Sequence, residues 1–365
     1  GLLELERRFG VYPYDNVTVV VPPSDADGAA GMEYPTLFLT VGGDFPAGIR
    51  AVDETTIHEL GHQYFYGLVG SDEVEEAWLD EGLNETFTTW GMERVFGQKC
   101  TVIDFAGLCM NAIDMEWAGY RGTRRQRPLS TPSFTLLTSN YPSLSYSQTA
   151  VTMRTLERYL GPERTLAAFR RHVDRGRFRH PRRADFVAAV SEGAGEDLRW
   201  FFDQALTTTR VADYVILSAK THKHELAGGY YDCPPTPLVP VPGFIDAPSA
   251  ADPEAVALYN ESAAAACEGG KTGRQHLDPD HYEAEVRKRA GKAAKTSKVY
   301  DSDVIVQRRG DFVFPVRVRL TFEDGSPEQT YLREHRMALG GRAWRGYFPV
   351  GGELTDERVH HFPGR

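Results

Sequence analysis

Between His58 and Phe87 the chain reads HELGHQYFYGLVGSDEVEEAWLDEGLNETF, with two histidines, six glutamates and two aspartates in thirty residues. This stretch constrains the fold more than any other, because two helical patterns meet where the charges cluster. Ile57, Leu60, Gly61, Tyr64, Phe65 and Leu68 recur at three and four, which predicts an amphipathic helix from about Asp53. Leu79, Leu83, Phe87 and Trp90 repeat the pattern up to Gly97, a helix stop. The acidic stretch Gly70 to Ala77 joins the two. The charges are either a solvated face that happens to contain HExxH or the ligand set of a metal ion.

Residues four apart on a helix lie one above the other, so His58 and His62 can offer two imidazole nitrogens to one ion, with Glu59 beside it. A metal that polarises a carbonyl and acidifies water needs one more protein ligand and an open position. Glu81, nineteen positions beyond His62 at the start of the next helix, can supply it. An accidental HExxH is expected in roughly a few per cent of chains this long. The helix pair, which sets both histidines and the glutamate on suitable elements, favours the metal reading. Glu85, one turn beyond Glu81, is either an exposed helix residue or a hydrogen-bond partner for the free nitrogen of a ligand histidine. The run Asp72 to Glu76 reads as solvated linker, lacking the glycine and spacing of an EF-hand loop.

The flanks give the organisation. Val17, Val19 and Val21 alternate, as do Leu37, Leu39 and Val41, so the first fifty residues read as half-buried strands, with GMEYP at the entry of the second. After the metal helices, Ala150, Met153, Leu156 and Leu160 form a helix ending at Gly161. Pro162 opens another with Leu166, Phe169 and Val173, and shorter helices span about Arg183 to Glu192 and Glu196 to Leu206. Beyond Thr207 the texture is β: a strand at Ala212 to Ala219, a turn at Arg308 to Asp311 read as a hairpin, and alternation of Val316, Val318, Leu320 and Phe322 before the turn EDGS. Seven prolines between Pro234 and Pro253, followed by Ala-rich and Lys-rich stretches, mark about 220–298 as a mobile insertion with one short helix near Pro279 to Ala290.

Composition excludes other classes. A net charge of -10 argues against a nucleic-acid partner. There is no run of eighteen apolar residues to span a bilayer. The opening GLLELERRFGVYPY has no cationic segment followed by an apolar one, so no signal peptide is visible, and it reads like the middle of a domain in a longer protein. Cys100, Cys109, Cys233 and Cys267 are too far apart for a CxxC motif. A Cys100 to Cys109 bridge and buried free thiols are both open, which leaves the compartment undecided.

The wording carries a resemblance. HELGHQ with WLDEG at this distance resembles the gluzincin zinc aminopeptidases, the aminopeptidase N and leukotriene hydrolase family. GMEYP resembles that family's GAMEN exopeptidase motif, and Tyr146-Ser147-Gln148-Thr149-Ala150, opening a helix, resembles its YEKGA segment. The resemblance covers about Arg8 to Leu217. It implies that His58, His62 and Glu81 hold one zinc, that Glu59 is general base and proton shuttle, and that Tyr146 donates to the oxyanion. It also implies that Gly31, Met32 and Glu33 line the substrate site, Glu33 taking the free α-ammonium. Tyr34 stands where the family has asparagine and Gln148 where it often has lysine. The family's amino-terminal β-domain and long helical carboxy-terminal domain have no counterpart here.

The expectation is therefore an α+β chain. Residues 1–207 form a thermolysin-like, mainly helical zinc-peptidase domain with an N-terminal β portion, and 208–365 a small β-sandwich-like domain interrupted by the insertion. The expected activity is a zinc-dependent aminopeptidase that hydrolyses the N-terminal bond of peptides through a metal-activated water. Two rivals remain: a thermolysin-like endopeptidase, for which an anionic Glu33 would have no purpose, and a non-catalytic peptide-binding scaffold, which would have no need of Glu59.

Overall fold

The computed structural model describes residues 1–23, 25–223, 226–235, 253–282, 284, 300–314, 317–322, 329–332, 343–351 and 354–360. It is a mixed α+β chain that separates into two compact units, Gly1–Val211 and Ala212–Arg365.

The first unit opens with a helix, α1 (Leu2–Phe9), where strands were expected. Leu5 and Phe9, four apart, bury one face, and an ion pair from Arg8 to Glu4 at 2.8 Å supports the other. Strands β1 (Thr18–Val20) and β2 (Leu37–Leu39) then pair in parallel. The expected half-burial fails at β1, where all three residues are exposed. GMEYP runs back along β2, with Met32 bridging Leu39.

Helix α2 (Ala51–Gly61) stops earlier than the apolar spacing suggested. Tyr64 to Leu68 lie in tight turns instead, with Tyr66 at φ 107° and the amides of Gly67 and Val69 donating to the carbonyls of His62 and Tyr64. Tyr64 and Phe65 are still buried, because Phe9 receives them: its ring lies 6.1 Å from Tyr64 and 5.3 Å from Phe65. The acidic linker is partly helical, α3 (Glu73–Glu76), capped by the Asp72 side chain, and its Glu73, Val74 and Glu75 face solvent. Helix α4 (Glu81–Phe96) follows and is buried from Gly82 to Met92. Its threonines return their hydroxyls to its own backbone, as Thr86 does to Gly82 at 2.8 Å, so polar side chains survive in the core.

Strands β3 (Ile103–Phe105) and β4 (Leu108–Met110) form a hairpin closed by a Cys100–Cys109 disulfide. After α5 (Ala112–Thr123) comes a π-helical turn, Ser143–Gln148, which leads into α6 (Thr149–Leu160). Helices α7 (Pro162–Gly176), α8 (Arg183–Ala194) and α9 (Arg199–Thr207) complete the array close to the predicted positions. Phe186 is the hub of this half, with edge contacts to Trp78 at 5.2 Å and Phe202 at 5.4 Å.

The second unit contains β5 (Tyr214–Lys223), β6 (Gly229–Cys233), α10 (Pro253–Ala266), β7 (Gly273–Leu277), β8 (Tyr300–Arg308), β9 (Arg317–Phe322), β10 (Gln329–Leu332), β11 (Ala343–Gly351) and β12 (Leu354–His360). They form two three-stranded antiparallel sheets, ordered β11-β8-β5 and β10-β9-β12, and a β6-β7 pair. Arg308 to Asp311 is not a hairpin turn, because β8 and β9 belong to different sheets. The Arg309 and Gly310 amides instead donate to the Asp213 carbonyl at 2.7 and 3.0 Å. The stretch read as a mobile insertion carries β6, α10 and β7, tied by a Cys233–Cys267 disulfide, since alanines at Ala263 and Ala266 pack against Tyr231 and Leu277. Residues 279–282 are helical as expected, whereas the rest of that helix, most of the proline run and the EDGS turn fall outside the described residues.

Candidate metal centre and active site

The two metal helices meet through Gly61. A side-chain carbon there would lie 2.0 Å from Asn84 Oδ1 and 2.8 Å from Phe87, so only glycine lets α2 approach α4 this closely. Asn84 fixes the contact by donating to the His58 carbonyl at 2.7 Å. His58 lies on the last turn of α2, His62 just beyond it, and Glu81 begins α4.

Their donor atoms converge. The Nε2 atoms of His58 and His62 are 3.1 Å apart, and Glu81 Oε2 lies 3.4 Å from the first and 3.1 Å from the second. Three ligands held about 2.0–2.1 Å from a tetrahedral ion lie about 3.3 Å from one another. The tautomers agree. His58 Nδ1 donates to Glu85 Oε2 at 2.9 Å and His62 Nδ1 to the Phe65 carbonyl at 3.0 Å, both groups that can only accept. With Nδ1 carrying the proton on each ring, both Nε2 lone pairs face the Glu81 carboxylate. Such a donor set fits a divalent first-row cation and repels itself without a positive charge at its centre.

The surrounding charge points the same way. Burial lowers the basicity of His58, but hydrogen bonds to Glu81 and Glu85 overcome it and push the imidazole up to about 9. His62 is likewise raised against burial, chiefly by Asp80, whose Oδ1 is 2.9 Å from His62 Nδ1. For Glu81, burial is outweighed by the two imidazoles, which hold its carboxyl well below the usual range.

Glu59 is 4% exposed, and its Oε2 has no hydrogen-bond partner among the described residues. Burial, with added repulsion from Glu33 and Glu81 and opposition from the two imidazoles, brings its carboxyl to about 7. Glu33 is also buried, and carboxylate oxygens of Glu33 and Glu59 lie within 4.8 Å of each other and of a His62 nitrogen. A carbon added at Gly31 would be 3.6 Å from Glu59 Oε1, so the GMEYP backbone passes beside this carboxylate, with Met32 holding it to β2. Tyr146 sits on the π-helical turn, its ring stacked on His58 at 5.7 Å, and its hydroxyl donates to Glu81. Burial, then the charge of Glu81, raises its pKa far above the ordinary phenol value, so it stays a proton donor. All eight residues singled out in the sequence, Gly31, Met32, Glu33, His58, Glu59, His62, Glu81 and Tyr146, thus belong to one locality or to the segment that builds it.

Two further residues had no role in the sequence reading. Asp80, beside Glu81, looks like a helix cap, yet it makes no capping hydrogen bond and turns to His62. Gln63, directly after His62, accepts from the Thr36 amide at 2.8 Å and the Tyr12 hydroxyl at 2.9 Å and donates to the Tyr34 carbonyl at 3.2 Å. It ties the segment carrying Glu33 to the metal helix. Only its place next to a ligand hints at that.

Comparison with known proteins gives the same locality a context. Residues 3–205 match the model of the peptidase family M1 domain. The chain is 24% identical over 204 residues to Aminopeptidase 2 of Candida albicans, covering 53% of this chain and 21% of that protein. It is 26% identical over 176 residues to Aminopeptidase M1-B of Oryza sativa subsp. japonica, covering 47% and 19%. The chain therefore spans about a fifth of the length of these curated relatives. The crystal structure of Legionella pneumophila aminopeptidase A in complex with aspartic acid shares the fold at a TM-score of 0.54 and 13% identity, over 95% of this chain and 31% of that one.

Proposed function

The chain belongs to the peptidase M1 family, and on that premise we propose that it is a zinc-dependent aminopeptidase that removes the first residue of peptides with a free amino terminus. The observation that carries this reading is the pair of buried carboxylates, Glu33 and Glu59, within 4.8 Å of each other beside the three-ligand cluster. One suits a cationic α-ammonium, the other a water molecule.

His58, His62 and Glu81 would hold one zinc per chain, which supplies Lewis acidity to the scissile carbonyl and to a nearby water. Glu59 takes the proton from the attacking water and returns it to the leaving amine. Tyr146, a neutral phenol, donates to the oxygen that gains negative charge. Glu33 pairs with the α-ammonium and so fixes which peptide bond reaches Glu59. The Gly31 and Met32 backbone lines the same path. Asp80 and Glu85 hold the imidazole rings in the required tautomers.

The first domain, about 1–207, is in this reading a thermolysin-like peptidase domain with an N-terminal β portion. The remainder, about 208–365, is a small sandwich, for which its two three-stranded antiparallel sheets are the support. An aminoacyl p-nitroanilide, with and without a chelator, tests the activity. Chelator-sensitive release of the anilide is the expected result. Cleavage confined to internal bonds would make the protein an endopeptidase, and binding of peptide without turnover would make it a scaffold.

A further inference from the structure

Helix α5 lies across the π-helical turn that presents Tyr146. A carbon added at Gly119 would come within 2.3 Å of Ser147 Oγ, so the backbone of α5 touches the residue next to Tyr146. Three positions earlier, on the same face of α5, Glu116 accepts a hydrogen bond from the Ser147 hydroxyl. Its Oε2 is buried and has no hydrogen-bond partner among the described residues. The ligand set and the steps above make no use of this carboxyl, yet it holds the residue next to Tyr146 and lies within electrostatic reach of His58. Glu85 on α4 and Glu54 and His58 on α2 are the charged groups that face it.

We propose that Glu116 is a positioning residue for the reaction, holding through Ser147 the π-helical turn that aims Tyr146 at the ligand cluster. The inference rests on the aminopeptidase reading. A π-turn is a poorer backbone arrangement than an α-helix and persists where side chains hold it. Here the holding contacts come from α5 on one side and from the stacked His58 ring on the other. Glu116 is suited to the task as a neutral acid. Burial and the negative charges of Glu85 and Glu54 push its carboxyl up to about 8, against the Ser147 hydrogen bond and His58. Ionised, it would be a further anion, buried and facing the carboxylates of Glu85 and Glu54, whose repulsion would push it and the turn it holds away from them.

The test uses the full chain loaded with zinc, as wild type, Glu116→Ala, Glu116→Gln and Ser147→Ala, assayed on an alanyl anilide, with zinc content and thermal midpoint measured alongside. A misplaced Tyr146 should cost kcat roughly 10- to 100-fold in Glu116→Ala and Ser147→Ala, with KM and zinc content held. Glu116→Gln, a neutral isostere, should restore kcat at pH 7. The wild-type to Glu116→Gln ratio of kcat should fall as pH rises through about 8. A carboxyl raised in the folded state loses its contribution to stability as pH rises through that value, so the wild-type midpoint should also fall relative to Glu116→Gln between about 4.5 and 8. Unchanged kcat in Glu116→Ala, or equal loss in Glu116→Gln and Glu116→Ala at pH 7, overturns the inference. If Glu116→Ala does not fold, the Gln variant and Ser147→Ala decide it. A wild type inert toward the anilide overturns the aminopeptidase reading itself, which the variants then cannot rescue.

Discussion

The Nε2 atoms of His58 and His62 face each other at 3.1 Å while their Nδ1 atoms are committed to Glu85 and to the Phe65 carbonyl. Two imidazole lone pairs at that separation need a positive charge between them. The arrangement follows from α2 ending between the two histidines. His58 lies inside the helix, whereas His62 caps it and can reach both Phe65 and Asp80.

The purified chain is expected to carry one zinc, and Glu81→Ala far less, since two imidazoles alone leave the tetrahedral set incomplete. Asp80→Asn should keep the ion but weaken its binding about 10- to 100-fold, the usual effect of a partner that orients a ligand histidine. Elemental analysis and competition with a calibrated chelator measure both. Equal zinc in wild type and Glu81→Ala would remove Glu81 from the ligand set.

Glu59→Gln should retain zinc and lose about two to four orders of magnitude in kcat, the share of a general base. The amide keeps the shape of the buried side chain and lacks the basic oxygen. Loss of zinc together with activity would make Glu59 a structural residue instead.

Much of this site could be read before any coordinates, because a period of three and four on both sides of the acidic stretch assigns His58, His62 and Glu81 to two helices. What could not be read depended on where the chain turns. Tyr64, Phe65 and Leu68 continue the helical spacing, yet they lie in turns, from which Tyr64 and Phe65 pack against Phe9, and Gln63 acquires its role only because the chain leaves the helix there. A carboxylate before a helix is ordinarily a cap, so nothing in the sequence singles out Asp80; its burial beside His62 is a tertiary fact. At the amino end the alternation of Val17, Val19 and Val21 matches a half-buried strand, and the structure exposes Val19 and Val21 alike. The α1 pattern of Leu2, Leu5 and Phe9 is too short to outweigh the strand signals that follow it. The pairing of Cys233 with Cys267 depends on the β6-β7 pair and α10, which a proline- and alanine-rich composition does not announce.

A separate consequence concerns acid. His172 is 2% exposed against the Phe186 ring, and burial, opposed by Asp185, holds its imidazole down to about 4 from an ordinary value of 6.5. In that window the unfolded chain binds the proton and the folded one does not, so stability falls as pH drops from 6.5 towards 4. At about 1.4 kcal/mol per pH unit the full effect is on the order of 3 kcal/mol. Urea midpoints measured across pH 4 to 7 should decline in wild type more steeply than in His172→Gln. Parallel curves for the two would mean that His172 finds solvent or a carboxylate partner in solution.

Glu33 carries the sharpest expectation, because exopeptidase action depends on it. An α-ammonium that enters a closed site loses its water, and an unpaired buried charge is costly. A carboxylate waiting there should contribute roughly 2 to 5 kcal/mol to binding. Glu33→Ala should therefore lower kcat/KM for a free-amine peptide by about 30-fold to several thousand-fold, at 1.4 kcal/mol per factor of ten. Acetylation of the amine removes the charge that Glu33 pairs with, so wild type should leave an N-acetylated peptide intact, and Glu33→Ala should discriminate less between the two forms. The comparison needs four kinetic measurements: both peptides with both enzymes. Glu33 is buried within 4.8 Å of Glu59 and His62, so a neutral outcome cannot be ascribed to a remote surface position. Efficient internal cleavage of the acetylated peptide by wild type would instead assign the Glu33 carboxylate to the acidic neighbourhood of Glu73 and Asp80, and the protein to the endopeptidases.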